Sequence, residues 1–229
     1  VEWTVLVPIK LLAAAKTRLR GAVVEARHEP LVLAMAQDTV AAALSAPGTA
    51  GVVVVTADAA VAAAVSDLGA RWVPEPAGGG LNAALTHAAA LVDPDRAGRR
   101  IAALPADLPA LRPDELGAAL RALGSARDGG YVPDAAGTGT VLLAAPAGAS
   151  LAPRFGPGSA AAHARAGARL VAGDWPTLRH DVDTAEDLAA AVRFGVGPHT
   201  TALLSTECGR TLHAHTGTDR PGPGRRALR

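Results

Sequence analysis

Short β-branched runs alternate along this chain with longer Ala- and Leu-rich segments of helical period. That alternation is the signature of βαβ units feeding a parallel sheet, and it sets the fold class as α/β. Strands are expected at residues 4–7, 52–55, 71–73, 101–104, 131–132, 141–145 and 170–172, and helices at about 29–44, 59–68, 81–91, 113–123, 159–167 and 185–194. Two helices announce their starts. Pro113 suits a first helical position, where its missing N–H costs nothing, and Thr184 is a hydroxyl N-cap followed by Glu186 and Asp187 in the first turn.

Composition narrows the classes of function. Hydrophobic residues make up 49% of the chain but aromatics only 3%, so the core is built mainly from Ala, Val and Leu and is large enough to exclude a wholly disordered chain. Lys+Arg 22 against Asp+Glu 21 leaves a net charge of +1, too balanced for the concentrated basic face that a nucleic acid or an anionic membrane requires. No uncharged apolar run reaches the ~18–20 residues that cross a bilayer, and the opening run is cut short by Pro8 and Lys10, so it reads as a strand rather than a signal peptide. With Cys208 as its one cysteine, the chain forms no intrachain disulfide and no cysteine cluster for zinc, and a reducing, cytoplasmic setting is expected. At 229 residues, one large domain with a tail fits as well as two small domains. After about Gly195 the composition turns to Gly, Pro, Thr, His and Arg, which divides the chain into a body at 1–198 and an expected disordered tail at 199–229. His213 and His215 lie in that tail with Cys208, at a spacing too irregular for a metal site.

In an open α/β sheet, ligands sit beyond the carboxyl ends of the strands, so the loops there are where chemistry is sought. The first strand runs into a segment holding Lys10, Lys16 and Arg18, a cluster able to neutralise a triphosphate although it lacks the glycines of a P-loop. A solvated basic helix start is the alternative for this segment. The strand at 101–104 leads to Asp107, held between Pro105 and Pro109, as a magnesium site requires; ordinary turn chemistry explains the same residues. Asp181 and Asp183 are two apart in an extended segment, which puts their side chains on one face about 6.5–7 Å from each other. At an effective dielectric near 20 they repel by roughly 2.5 kcal/mol, a cost that a bound cation reverses. Helix capping accounts for one of those acids but poorly for both. The loop at 134–140, with Gly137, Gly139 and Thr140, lets backbone N–H groups approach an anion, and Gly156, Gly158 and Ser159 open a helix able to seat a phosphate; each segment also reads as a simple turn. Asn82 follows three glycines and offers an amide to a nucleobase or ribose.

Taken in order, these motifs resemble the guanylyltransferase family that makes the activated acid precursor of the deazaflavin coenzyme F-420. The resemblance spreads over residues 4–194 and rests on Val7-Pro8-Ile9-Lys10, Ala15-Lys16-Thr17-Arg18-Leu19, Gly80-Leu81-Asn82, Asp107-Leu108-Pro109, Gly137-Thr138-Gly139-Thr140, Phe155-Gly156-Pro157-Gly158-Ser159 with His163, and Leu178-Arg179-His180-Asp181-Val182-Asp183-Thr184 with Glu186-Asp187-Leu188. It implies a three-layer nucleotidyltransferase-like fold of the nucleotide-diphospho-sugar transferase type, with a mostly parallel central sheet. It also implies GTP and a small phospho-acid as substrates, Mg²⁺ as cofactor, diphosphate as leaving group, and the downstream transferase of the same pathway as a partner. Asp107, Asp181 and Asp183 correspond to the metal-holding acids, with Lys16 completing the catalytic set; Thr140, Gly156 and Ser159 correspond to the phospho-acid site, and Lys10, Lys16, Arg18 and Asn82 to nucleotide contacts.

The implied reaction is in-line attack of the acid's phosphate oxygen on the α-phosphorus of GTP, without a covalent enzyme intermediate. Phosphoenolpyruvate is the expected acceptor, with 2-phospho-L-lactate and 3-phosphoglycerate as alternatives. A nucleotidyltransferase acting on a sugar phosphate or molybdopterin is the rival within the class; against molybdopterin, Pro8-Ile9-Lys10 stands where that family has a Gly-Gly-containing loop. A nucleotide-binding subunit without catalysis is the rival from outside it, and the presence of all three acids speaks for the enzyme.

Overall fold

A computed structural model describes residues 2–12, 19, 27–94, 99–124, 129–146 and 148–214, the last eight without their side chains. Its elements run β1 (Trp3–Pro8), α1 (His28–Ser45), β2 (Thr49–Thr56), α2 (Ala59–Asp67), β3 (Arg71–Pro74), α3 (Gly80–Val92), β4 (Arg100–Ala103), α4 (Pro113–Gly124), β5 (Gly130–Pro133), β6 (Thr140–Ala144), α5 (Ser159–Arg165), β7 (Arg169–Leu170), α6 (Ala185–Phe194) and α7 (Pro198–Ala214). The strands form a 7-stranded sheet in the order β3-β2-β1-β4-β6-β5-β7. β1 lies parallel to β2 and β4, while β6 runs antiparallel to both β4 and β5, so the sheet is mostly parallel as expected.

The continuous apolar run of β2 shows why this sheet is covered on both faces. Val52 and Val54 join one buried cluster with Val5, Val7, Leu31, Met35, Leu116 and Leu120, which packs α1 and α4 on that side. Val53 and Val55 join the other with Leu6, Ile101, Ala84, Leu85 and Ala88, which packs α3 on the opposite side. Successive strand side chains point to opposite faces, so only a two-sided sheet buries all four valines. The result is three layers. β2 and β4 flank β1 on opposite sides, which makes the carboxyl ends of β1 and β4 the point where the winding reverses.

Over 199–214, where a disordered tail is expected, the chain instead continues α7, which starts at Pro198. Its start is capped from a distance: one carboxylate oxygen of Asp38, on α1, accepts the His199 N–H at 3.0 Å and the other accepts the Thr200 N–H at 2.9 Å. Gly197 approaches Asp38 so closely that a Cβ there would overlap the carboxyl group. Leu203 and Leu204 then pack against the α1 side of the core. Cys208 and His213 fall on the backbone of α7, and His215 and the remaining expected tail lie outside the described residues.

Asp38 is 4% exposed, so losing its partners or its carboxylate is costly. Asp38→Ala is expected to lower unfolding free energy by about 1–2 kcal/mol, the range for losing a helix-capping acid. Denaturant unfolding checks this, and an unchanged midpoint would show that α7 does not depend on the cap.

Candidate active site

At the switch point the carboxyl ends of β1 and β4 open into a cleft of about 210 Å³ lined by Pro8, Lys10, Leu81, Pro105, Phe155 and Gly156. The chain beyond β1 is tied down before it leaves the sheet: the Ile9 N–H donates to Val55 O at 2.9 Å and the Leu12 N–H to the Asp58 carboxylate at 3.1 Å. Lys10 is thereby left exposed at the cleft. Lys16 and Arg18 lie outside the described residues.

Asp107 sits just past the cleft wall, and its loop is pinned on several sides. Thr39, fully buried on α1, accepts the Leu108 N–H at 3.1 Å and places its hydroxyl 3.1 Å from Ala106 O. The Gly197 N–H donates to Pro109 O at 2.8 Å, and the Val182 N–H donates to the carbonyl of Asp107 itself at 3.0 Å. That last bond lays the Asp181 to Asp183 segment alongside the Asp107 loop. The approach to this segment is held by Glu115, one of whose carboxylate oxygens accepts from Thr177 N–H and Leu178 N–H at 2.8 and 3.1 Å. Arg179 then donates to Pro133 O and Asp134 O at 3.1 and 2.8 Å, which fastens it to the β5–β6 hairpin.

Asp183 is the last residue before the cap of α6. The Asp187 carboxylate accepts the Asp183 N–H at 3.2 Å and the Thr184 N–H and hydroxyl at 2.9 Å, while the Thr184 hydroxyl takes the Asp187 N–H in return. Burial pushes the Asp187 carboxyl up, but the Thr184 hydroxyl and the two backbone N–H groups outweigh it and hold the carboxyl below its usual range. The expected Thr184 N-cap is therefore present, completed by Asp187 into a capping box that also fixes the backbone of Asp183.

Hard oxygen donors on two loops joined by a hydrogen bond fit a magnesium-class cation. Among the described residues no three His, Cys, Asp or Glu side chains stand close enough to enclose an ion by themselves. A caged site is not what Mg²⁺ needs, since it usually takes one or two carboxylates and completes its shell from phosphate oxygens and water. On donor type and loop placement Asp107, Asp181 and Asp183 fit the ion.

The glycine-rich segments depart from the expected anion seats. The loop at 134–140 is a hairpin turn whose Thr138 and Gly139 N–H groups both go to the Asp134 carboxylate, at 2.9 and 2.7 Å. An Asp that folds back on its own turn competes with an anion for those donors and wins locally. Likewise the Ser159 N–H donates to Gly156 O and the Ala160 N–H to Thr138 O, so the start of α5 uses these amides internally. What remains for an acceptor here is side chains and Gly156: Thr140 is 7% and Ser159 2% exposed, and Gly156 lines the cleft. Asn82 departs too. Its amide nitrogen donates to Phe155 O at 3.0 Å and its oxygen accepts the Phe155 N–H at 2.8 Å, so it clamps the cleft wall with the groups expected to read a base.

His163, which the sequence motif contained without a role, is 1% exposed and contacts Thr140, Arg154 and the edge of the Phe155 ring. Burial, assisted by the positive charge of Arg154, pushes its pKa down to about 4. Thr39 and Asp38 carried no sequence signal, because their partners lie far along the chain.

With this geometry in place, comparison with known proteins is informative. Residues 3–218 match the family described as CofC: Guanylyl transferase CofC like. The chain belongs to the CofC-like guanylyl transferase family. It is 57% identical over 208 residues to a phosphoenolpyruvate guanylyltransferase of Salinispora arenicola, covering 89% of this chain and 94% of the relative. A protein of the same name from Geodermatophilus obscurus is 55% identical over 207 residues, with 88% and 94% covered. Among solved structures, a nucleotide-diphospho-sugar transferase-type protein from Desulfovibrio desulfuricans G20 superposes with a TM-score of 0.67 at 20% identity, over 95% of this chain and 99% of that one. CMP:2-keto-3-deoxy-manno-octonic acid synthetase gives 0.52 at 18% identity, over 90% and 100%. At those identities the two structures establish a common fold, the nucleotide-diphospho-sugar transferase architecture expected from the motifs. The CofC-like family match extends past residue 198 through the whole of α7.

The depressed pKa of His163 carries a pH dependence. Its folded pKa of about 4 lies below the ordinary 6.5, so acid protonates the unfolded chain first. Stability contributed by the neutral ring is complete above pH 6.5 and is lost progressively as pH falls toward about 4. Thermal unfolding of the native chain and a His163→Asn variant across that window should show a shallower acid loss in the variant. Parallel curves would place the acid sensitivity elsewhere.

Proposed function

We propose that the chain transfers the guanylyl group of GTP to phosphoenolpyruvate, giving enolpyruvoyl-diphospho-guanosine and diphosphate, as a cytoplasmic step of coenzyme F-420 biosynthesis. The observation that carries the reading is the 55–57% identity to phosphoenolpyruvate guanylyltransferases over nearly the full length of each, and the sequence supplies Asp107, Asp181 and Asp183 at the motif positions. GTP, the phospho-acid and the downstream transferase of the pathway are its partners.

In this reading an oxygen of the acid's phosphate attacks the α-phosphorus of GTP, a new P–O–P bridge forms, and the bond from that phosphorus to the β-phosphate oxygen breaks. The electron pair leaves with diphosphate. A phosphate monoester with a second pKa near 6 is already largely dianionic at pH 7, so the enzyme needs no base to activate it. Its task is to bring two anions together in line. Lys10 supplies positive charge at the cleft, and Lys16 and Arg18 belong to the same basic segment. Thr140, Gly156 and Ser159 hold the acid in this reading. Asp107, Asp181 and Asp183 would hold Mg²⁺, which supplies charge neutralisation at the phosphates.

Asp183→Asn removes a charge at constant volume, and turnover is expected to fall by two orders of magnitude or more, about 3 kcal/mol, with the fold retained. Near-native rates at saturating Mg²⁺ would remove Asp183 from the metal set. Diphosphate release assayed with GTP, Mg²⁺ and each acid in parallel tests the acceptor. Phosphoenolpyruvate is expected to exceed 2-phospho-L-lactate in kcat/KM by about 10-fold or more, the discrimination a small shape difference allows. Preference for phospholactate or 3-phosphoglycerate would change the acceptor and leave guanylyl transfer standing.

A further inference from the structure

His163 faces two partners, and the pair of contacts fixes its protonation. The Arg154 N–H donates to Nε2 at 2.9 Å, so Nε2 carries a lone pair and no hydrogen. A neutral imidazole must then hold its proton on Nδ1, and the 2.9 Å contact to Thr140 Oγ1 is donation from Nδ1–H to the hydroxyl oxygen. The neutral state agrees with the ring's burial against the rings of Tyr131 and Phe155. Thr140 therefore cannot give its own proton to the imidazole, and its O–H points away from the ring as a donor.

The same imidazole holds the cleft wall. Arg154 is fixed by Nε2, and Phe155 by both ends of the Asn82 amide, so the run leading to Gly156 is fastened on two sides. A hydroxyl with an unconstrained rotor offers an anion a lone pair as readily as a proton. One whose oxygen is already engaged by an N–H presents the proton, which is what an anionic oxygen requires.

We propose that His163 is a positioning residue for the acceptor, its Nδ1–H making the Thr140 hydroxyl a dedicated donor to an anionic oxygen of the phospho-acid. The inference rests on the reading of the chain as a guanylyltransferase with a phospho-acid acceptor. It assigns acceptor affinity, rather than nucleotide affinity, to a residue that bonds to Thr140 and the cleft wall.

Two variants separate the two nitrogens. His163→Asn keeps an amide N–H near the position of Nδ1, whereas His163→Gln reaches the position of Nε2 and can accept from Arg154 while losing the donor to Thr140. Steady-state assays should give His163→Gln a KM for phosphoenolpyruvate raised about 10-fold, as expected for a lost hydrogen bond to a charged group, with the KM for GTP within about 2-fold of native. His163→Asn should hold the KM for the acid within about 3-fold, and His163→Gln should add nothing further on a Thr140→Val background. On the native chain, ¹⁵N NMR of the imidazole at pH 7 should report the neutral Nδ1–H form, a readout independent of how the variants fold. An Nε2–H or doubly protonated ring, equal increases in both KM values, or an unaltered acid KM in His163→Gln would overturn the inference. Should the native chain reject phosphoenolpyruvate, the acceptor assignment fails on its own, and the same comparison is read with whichever of 2-phospho-L-lactate or 3-phosphoglycerate is turned over. Turnover with none of the three removes the acceptor reading and this inference together.

Discussion

The hydrogen bond from the Val182 N–H to the carbonyl of Asp107 is the join on which the site depends. It unites a loop that follows a central strand with a segment that reaches the site only after the hairpin and α5 have been built. Through it the backbone that carries Asp181 and Asp183 is fastened to the backbone of Asp107. The surrounding restraints converge on this join: Thr39 brackets Asp107 through its two neighbours, Gly197 holds Pro109, and Glu115 and Arg179 fix the chain leading to Asp181. Groups placed in this way need little reorganisation when substrate binds, which is where most of the effect of a positioned charge arises.

α7 belongs to the same construction. Asp38 and Thr39 are consecutive on α1, and the first caps α7 while the second holds the Asp107 loop. Gly197, immediately before α7, touches both, contacting Asp38 and donating to Pro109. The C-terminal helix and the Asp107 loop therefore share one anchor. A helix that looks like an appendage in sequence is mechanically tied to the Asp107 loop, because Gly197, just before α7, donates to Pro109 O.

Elements with strong local signals were legible. The valines of β2, the Pro113 start of α4 and the Thr184 cap all encode their structures within a few residues, and the switch point followed from strand alternation. Features whose partners are remote were not. α7 has little apolar periodicity, and its capping carboxylate lies on α1, 161 residues away from His199. The type of Asn82 suits a contact to a nucleobase or ribose, but Phe155, 73 residues away, takes both ends of its amide. The hairpin at 134–140 differs: its glycines permit an anion's approach, but the carboxylate of Asp134, only four and five residues away, takes the Thr138 and Gly139 N–H groups first.

The proposed transfer sets opposite problems for the acceptor and for the nucleotide. In the proposed function a triphosphate would be met by charge such as that of Lys10, for which proximity is enough. The acceptor must keep its phosphate oxygen electron-rich enough to attack, and a full positive charge on that oxygen would weaken it as a nucleophile. Neutral donors with fixed direction suit that side better. Thr140, buried and held by a neutral imidazole, offers a dipole rather than a charge, and the burial that favours the uncharged ring is the packing of α5 against β5 and β6. The fold thus sets the character of these two positions by what it leaves exposed, a solvated lysine at the end of β1, and by what it covers, an imidazole beneath Thr140.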